Sequence, residues 1–248
     1  MVKTSTVESA ANSGTTDRTR AVVGGLLWVL AIVQYFLAQF VVAAAWRTPY
    51  SLLDNYISDL GNTDCGMFAL PHGQPTYVCS PSHGLMNLSF ITLGVLAIAG
   101  AILLRRFGPT GRMASTAFYL WVISGLGKIL VGLVPENTTI TVHLVGAFNI
   151  PVASVAILLF SLAVRRSNVP LSTFGIVVAV VGLAGTVLST VGQYAGTGLY
   201  LGFGVGGMER VASYPGSLWT LVVGALAMTL AGRTDPPAPL ADRTVPPG

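Results

Sequence analysis

The sequence has few charged residues and lacks the alternating polarity of a membrane β-barrel. Only 9% of its 248 residues are Asp, Glu, Lys or Arg, whereas 52% are hydrophobic. A soluble domain carries about 25% charged residues. A chain with so little charge cannot cover a surface that faces water, and this excludes a soluble globular domain.

The apolar residues of the sequence are grouped into long blocks with almost no charged residues. A block of about 18 or more such residues indicates a membrane span, because about 20 helical residues cross the hydrocarbon core. Barrel strands would be about half that length and would alternate in polarity. The first block follows a polar segment and lacks a convincing cleavage site, which argues against a signal peptide. The six predicted spans are residues 21–46, 83–104, 113–134, 142–164, 170–194 and 211–231.

These spans predict an all-α fold, a six-helix transmembrane bundle over residues 21–232. The connections Arg105–Arg112 and Arg165–Val169 are short, so we expect successive helices to pack as antiparallel neighbours. Residues 1–20 and the proline-rich residues 233–248 have too little apolar content to fold and are predicted to be disordered tails.

Two residue types predict local geometry inside the spans. Glycines recur in the third, fifth and sixth spans and should allow close helix contacts, since small residues line helix interfaces in membranes. Pro151 removes the backbone hydrogen bond to Ala147 and should therefore kink the fourth span.

The basic residues predict the orientation. With a cytoplasmic N-terminus, ten of the 13 basic residues lie inside, only Arg47 and Arg210 lie outside, and Lys128 lies within a span. This positive-inside bias predicts a plasma-membrane protein with both termini in the cytoplasm. The pI near 9.3 then reflects topology, so membrane lipids are the expected partners and nucleic acid is not. The oligomeric state is left open.

The two cysteines, Cys65 and Cys79, both lie in the long first loop, residues 47–82. The charge pattern places this loop outside the cell, where a disulfide persists. We therefore predict a disulfide-pinned extracytoplasmic loop, stabilised by roughly 3 kcal/mol through closure of a loop of about 15 residues.

Polar residues with functional chemistry concentrate at the outer helix ends and in the outer loops. Polar groups at membrane depth are costly unless paired, so they are candidates for function. His83 and Asn87 share a helix face, as do Ser124 and Lys128, because each pair is four residues apart. The predicted ligand-binding residues are Asp54, Asp59, His83, Asn87, Lys128, Glu136 and His143. Lys128 is expected to pair with a carboxylate such as Asp54, Asp59 or Glu136.

Three sequence strings carry a family resemblance. They are Ile57-Ser58-Asp59-Leu60-Gly61-Asn62, then Ser80-Pro81-x-His83-x-x-x-Asn87, and Gly132-Leu133-Val134-Pro135-Glu136-Asn137 followed by His143. Together they resemble a bacterial, actinobacterial-like family of six-helix membrane proteins catalogued as a domain of unknown function. The resemblance covers roughly residues 21–232 and implies a topology without an activity.

Metal binding and catalysis share one candidate set. His83, His143 and either Asp59 or Glu136 would give two histidines and one carboxylate, which suits zinc or iron. The same four residues are the catalytic candidates. No fixed ligand spacing such as H-E-x-x-H occurs, so histidines hydrogen-bonded at an interface are the simpler interpretation and no cofactor is assigned.

Two further motifs are incomplete. Ser58, Ser82 and Ser89 are candidate nucleophiles, but the Gly-x-Ser-x-Gly elbow of serine hydrolases is absent. The segment Gly202–Gly207 matches G-x-G-x-x-G but follows no soluble strand, so a dinucleotide site is not predicted and a loop at the outer interface is expected.

Three functions of different class remain open. The first is binding or organising a lipid or apolar ligand at the extracytoplasmic mouth of the bundle. The second is a metal-dependent, hydrolase-like enzyme at the outer leaflet that uses His83, His143 and a carboxylate. The third is a proton-coupled carrier that uses Lys128 and an acidic partner, for which a polar path to the cytoplasmic face is not expected.

Overall fold

The computed structural model describes residues 3–195 and 197–233. Seven α-helices and one small hairpin account for its regular structure, with short 3₁₀ turns between them. The helices are α1 Lys3–Ala44, α2 His83–Leu104, α3 Arg112–Leu133, α4 Ile140–Ala147, α5 Asn149–Val164, α6 Val169–Ala195 and α7 Gly204–Arg233; the strands are β1 Gly66–Phe68 and β2 Thr76–Val78.

Six helical segments are long and apolar enough to cross a membrane, and α4 together with α5 forms one of them. Each span packs on its neighbours in sequence, and α1 packs on α7, so the spans form a closed ring. The predicted antiparallel neighbours are therefore confirmed. Large apolar side chains such as Leu37 and Phe40 point away from the ring and are exposed. This multi-pass membrane protein presents them to lipid.

The first and last spans begin earlier than predicted. The first span begins at Thr15 and the last at Gly204, whereas their apolar blocks start at residues 21 and 211. The helix α1 itself begins at Lys3, within the segment predicted as a tail. Extending an existing helix by one residue costs far less than starting one, so polar residues continue it. The predicted proline-rich tail after residue 233 lies outside the described residues.

The fourth span is interrupted near Pro151, as predicted. Helix α4 ends at Ala147, and α5 begins at Asn149. The Asn149 side-chain amide donates to the Gly146 carbonyl at 2.8 Å, which satisfies an acceptor freed by the break. The interruption places polar backbone and side-chain atoms inside the ring.

The first loop is an ordered cap. A short 3₁₀ turn at Ser58–Gly61 precedes the antiparallel β1–β2 hairpin, in which Gly66 pairs with Val78. Cys65 and Cys79 form the predicted disulfide at the open end of this hairpin. We call the end of the bundle that carries this loop the outer end.

Glycines set the closest helix approaches. A Cβ atom on Gly94 of α2 would collide with the Gly125 carbonyl of α3, and one on Gly25 of α1 would collide with the Gly224 carbonyl of α7. The predicted role of glycines as contact points is confirmed at Gly125 and Gly224.

Candidate functional site

A cavity of about 90 Å³ lies inside the ring of helices. We call it the chamber. Ile57 and Ser58 of the first loop cover its outer end, and Trp121 of α3 lines its opposite end. Apolar side chains, among them Ile32 and Leu93, form much of the wall between these ends. The chamber is therefore an apolar space between the cap and the middle of the bundle.

Lys128 is the cation of this chamber. Its side chain is half-buried and lines the wall, and Nζ donates a short hydrogen bond to Ser124 Oγ. Ser124 Oγ in turn donates to the Asn149 carbonyl at 2.9 Å. Among the described residues the single ion pair is Arg20–Asp17. The predicted ion pair of Lys128 with Asp54, Asp59 or Glu136 is therefore wrong.

Two further titratable side chains line the chamber. His143 is 4% exposed, and its Nδ1 lies 2.8 Å from the Val134 carbonyl. Glu209 of α7 accepts a short hydrogen bond from the Ile57 backbone N–H. The chamber thus has a carboxyl group at its cap and an amine on α3, and the two are not within ion-pair distance.

Asp59 and Glu136 form a second group, which we call the acid pair. Both are 1% exposed, and Asp59 Oδ2 accepts from the backbone N–H of Tyr56 at 2.8 Å. Burial raises the pKa of Glu136 well above its ordinary 4.5, and the Asp59 charge raises it further. Burial also raises the Asp59 pKa above its ordinary 3.8. Two buried carboxyl groups without a paired cation favour retention of a proton.

An outer cavity of about 550 Å³, the vestibule, lies between the first loop and the α6–α7 connection. Asp54, Tyr56, Asp59, His72 and Tyr200 are among its lining residues. The segment 56–59 therefore separates two cavities, because residues 56 and 59 line the vestibule and residues 57 and 58 line the chamber.

Arg210 fixes residues 50–55 of the first loop, immediately before this segment, to α7. It is 8% exposed, and its Nη1 donates to the carbonyls of Leu52, Asn55 and Gly206 at 2.8–2.9 Å. Its Nη2 donates to the Tyr50 hydroxyl. The sequence placed Arg210 in an outer loop, whereas the structure buries it in a helix. The one sequence feature that could have indicated its burial is the adjacent pair of opposite charges, Glu209 and Arg210, directly before an apolar run.

A comparison with models of protein families finds a match over most of the chain. The model described as protein of unknown function (DUF998) matches residues 22–226. The chain belongs to the DUF998 family. No curated protein and no solved structure matches it. The DUF998 match includes the chamber, the acid pair and the vestibule, and it agrees with the family of unknown function expected from the loop motifs. An actinobacterial origin stays a prediction.

In this DUF998 member the structure separates the remaining predicted residues from the chamber. His83 Nδ1 lies 3.0 Å from the Ser80 carbonyl, and the Asn87 amide donates to the Gly61 carbonyl at 2.9 Å. Asp54 is exposed and accepts from Ser51 Oγ at 2.6 Å. Within the described residues no group of three His, Cys, Asp or Glu is placed to hold a metal ion. The structure thus does not assemble the predicted histidine and carboxylate set.

The incomplete motifs acquire structural roles. Ser58 lies beside Glu136 and lines the chamber. The backbone N–H groups of Gly206 and Gly207 donate to the Leu53 carbonyl at 2.8 and 3.2 Å. Gly204 has a φ of 66° and approaches the same carbonyl closely. The glycine-rich segment therefore begins α7 and holds the cap, where a simple loop was expected.

Proposed function

We propose that this membrane protein binds a small amphiphilic carboxylate in the chamber, with the anionic group at Lys128. The observation that carries the proposal is the Lys128 amine, which lines an apolar cavity and hydrogen-bonds Ser124. An ionised group at membrane depth is costly unless an opposite charge accompanies it. An anionic ligand would supply that charge.

The chamber wall fits the apolar part of such a ligand. Ile32, Phe90, Leu93 and Val131 line it together with Lys128. Binding sites for small molecules are commonly apolar with a few polar groups that fix orientation. A space of about 90 Å³ holds several water molecules or a short organic chain. The size and lining of the chamber support the first of the three functions, ligand binding at the outer mouth of the bundle. They favour a small ligand with a short apolar chain.

Access from the outer end follows from the position of the segment 56–59. Residues 56 and 59 of this segment line the vestibule, and residues 57 and 58 line the chamber. At the opposite end the rings of Trp28, Trp121 and Trp219 lie 5.2–5.8 Å from one another and occupy the route that a carrier would need. We therefore propose binding from the extracytoplasmic side, with both termini cytoplasmic and the protein in the plasma membrane.

Binding of octanoate to the protein in neutral lipid nanodiscs tests this function. Octanol and octylammonium share the chain but carry no charge or the opposite charge. We expect octanoate to bind more tightly than either, and Lys128→Met to weaken octanoate binding roughly tenfold to a hundredfold, since a charge-assisted hydrogen bond contributes about 1.5–3 kcal/mol.

Two variants serve as controls. Lys128→Arg keeps the charge and should retain most of the affinity. Arg166→Met removes an exposed charge far from the chamber in sequence and should leave octanoate binding unchanged. Equal octanoate affinity in wild type and Lys128→Met, or equal affinity of wild type for octanol and octanoate, would overturn the proposal.

A further inference from the structure

A third cavity of about 270 Å³ lies at the end of the bundle opposite the cap. We call it the inner cavity. Part of its rim is the α2–α3 connection, with Arg105, Pro109 and Thr110 among the lining residues. Trp121 lines both this cavity and the chamber. The two spaces are thus separate, with one indole ring between them.

Aromatic rings form the floor of the inner cavity. Trp28, Trp121, Trp219 and Phe160 all line it, and each ring lies within 5.8 Å of the centre of another. Trp121 Nε1 is buried and has no hydrogen-bond partner in the described part of the chain. Such a floor suits the apolar part of an amphiphile and leaves a buried donor unused.

Arg105 supplies the charge at the rim. Its guanidinium lies 4.3 Å from the centre of the Phe118 ring and 5.4 Å from that of Tyr119. Within the described residues it takes part in no ion pair. A guanidinium held on an aromatic ring presents its N–H groups in a planar fork that matches phosphate oxygens.

The position of the rim in the membrane indicates the chemical class of the ligand. The connection that carries Arg105 joins two membrane spans, so the guanidinium lies where lipid headgroups lie. The charge pattern predicts this end to face the cytoplasm, whose leaflet is rich in anionic lipid. A phosphate at the rim with an apolar body in the cavity describes an acidic phospholipid.

We propose that the inner cavity is a binding site for an acidic phospholipid, with the lipid phosphate at Arg105 and the adjoining apolar part against the tryptophan floor. The site is independent of the chamber and of its proposed ligand. Arg105 and the three indoles then form a second functional site in this protein.

Quenching of tryptophan fluorescence by brominated lipid tests the site. The protein, carrying Trp46→Phe to remove the indole outside the inner cavity, is reconstituted in phosphatidylcholine vesicles. A small fraction of brominated phosphatidylglycerol or brominated phosphatidylcholine is then added. The remaining indoles are 2–7% exposed, so general lipid contact quenches them weakly. We expect phosphatidylglycerol to quench at least twofold more than phosphatidylcholine at equal fraction.

Neighbouring arginines provide a matched pair of variants. Arg105→Gln should abolish the excess quenching, whereas Arg106→Gln should keep it, because residue 106 does not line the cavity. Equal quenching by the two lipids, or persistence of the excess in Arg105→Gln, would overturn the proposal. Soluble glycerol phosphate that removes the excess at millimolar concentration would also overturn it, since the ligand would then be a free phosphate.

Discussion

The buried carboxyl groups of Glu136 and Asp59 lie beside each other at the outer end of the bundle, and burial raises the pKa of both. Asp59 Oδ1 is buried and receives no hydrogen bond from an N–H group of the described residues, while Oδ2 already accepts from Tyr56 and Asn55. The Glu136 carboxyl lies beside Asp59, and in its protonated form it would donate to this vacant oxygen. This pairing joins the first loop to the α3–α4 connection without a cation.

The acid pair predicts that the cap loses stability as the pH rises. Both pKa values are raised, so the native state binds more protons than the unfolded state. The stabilisation is complete below the ordinary values of 3.8 and 4.5 and is lost as the pH rises through the raised values, by up to about 1.4 kcal/mol per pH unit for one proton. Glu136→Gln should flatten this dependence, because an amide donates at every pH.

Thermal unfolding in detergent from about pH 4 to pH 9 measures this dependence. Asp54→Asn, which replaces an exposed carboxyl group of the same loop, is the matched control. A profile of Glu136→Gln that falls as steeply as that of wild type would show that the pair does not hold the proton.

Substitution of Arg210 should strongly lower the stability of the protein, although the sequence analysis placed this residue outside the membrane spans. Arg210→Met removes the side-chain donor from the carbonyls of Leu52 and Asn55 and from the Tyr50 hydroxyl, and a buried unpaired acceptor costs about 1–3 kcal/mol. We expect loss of several kcal/mol of stability, or failure to fold, and partial rescue in Arg210→Lys. Arg47→Met removes an exposed outer arginine and should change the unfolding free energy by less than about 0.5 kcal/mol.

The helices and the disulfide were predictable because their signals are local. Runs of apolar residues indicate the membrane spans. The sequence has two cysteines, Cys65 and Cys79, so only one intramolecular pairing is possible. The shared helix face of Ser124 and Lys128 was predictable from their four-residue spacing, and their hydrogen bond agrees with it. The hydrogen bond from Ser124 to the Asn149 carbonyl was not predictable, because it depends on the interruption between α4 and α5. The burial of Arg210 was not predictable for a similar reason. Its charge placed it outside the apolar run, but carbonyl groups of the distant first loop accept its hydrogen bonds within the bundle.

The glycine contact between α2 and α3 gives a test of helix packing. Gly94→Ala forces a Cβ atom onto the Gly125 carbonyl, and such overpacking costs about 1–3 kcal/mol. A Cβ atom on Gly84, in the same helix, would meet no neighbouring element within 4 Å, so Gly84→Ala should be neutral or slightly stabilising. Chemical unfolding of the two variants measures the difference, and equal stability would contradict close α2–α3 packing.

The orientation of the bundle is tested by labelling with a membrane-impermeant thiol reagent in intact cells. Thr138, in the α3–α4 connection, and Thr110, in the α2–α3 connection, are both exposed and lie at opposite ends of α3. The positive-inside bias predicts labelling of Thr138→Cys and protection of Thr110→Cys until the cells are permeabilised. Cys65 and Cys79 serve as internal markers, because their disulfide blocks labelling until a reductant is added. Labelling of Thr110→Cys in intact cells, with Thr138→Cys protected, would invert the bundle. The chamber would then open to the cytoplasm, and the vestibule could not admit a ligand from outside.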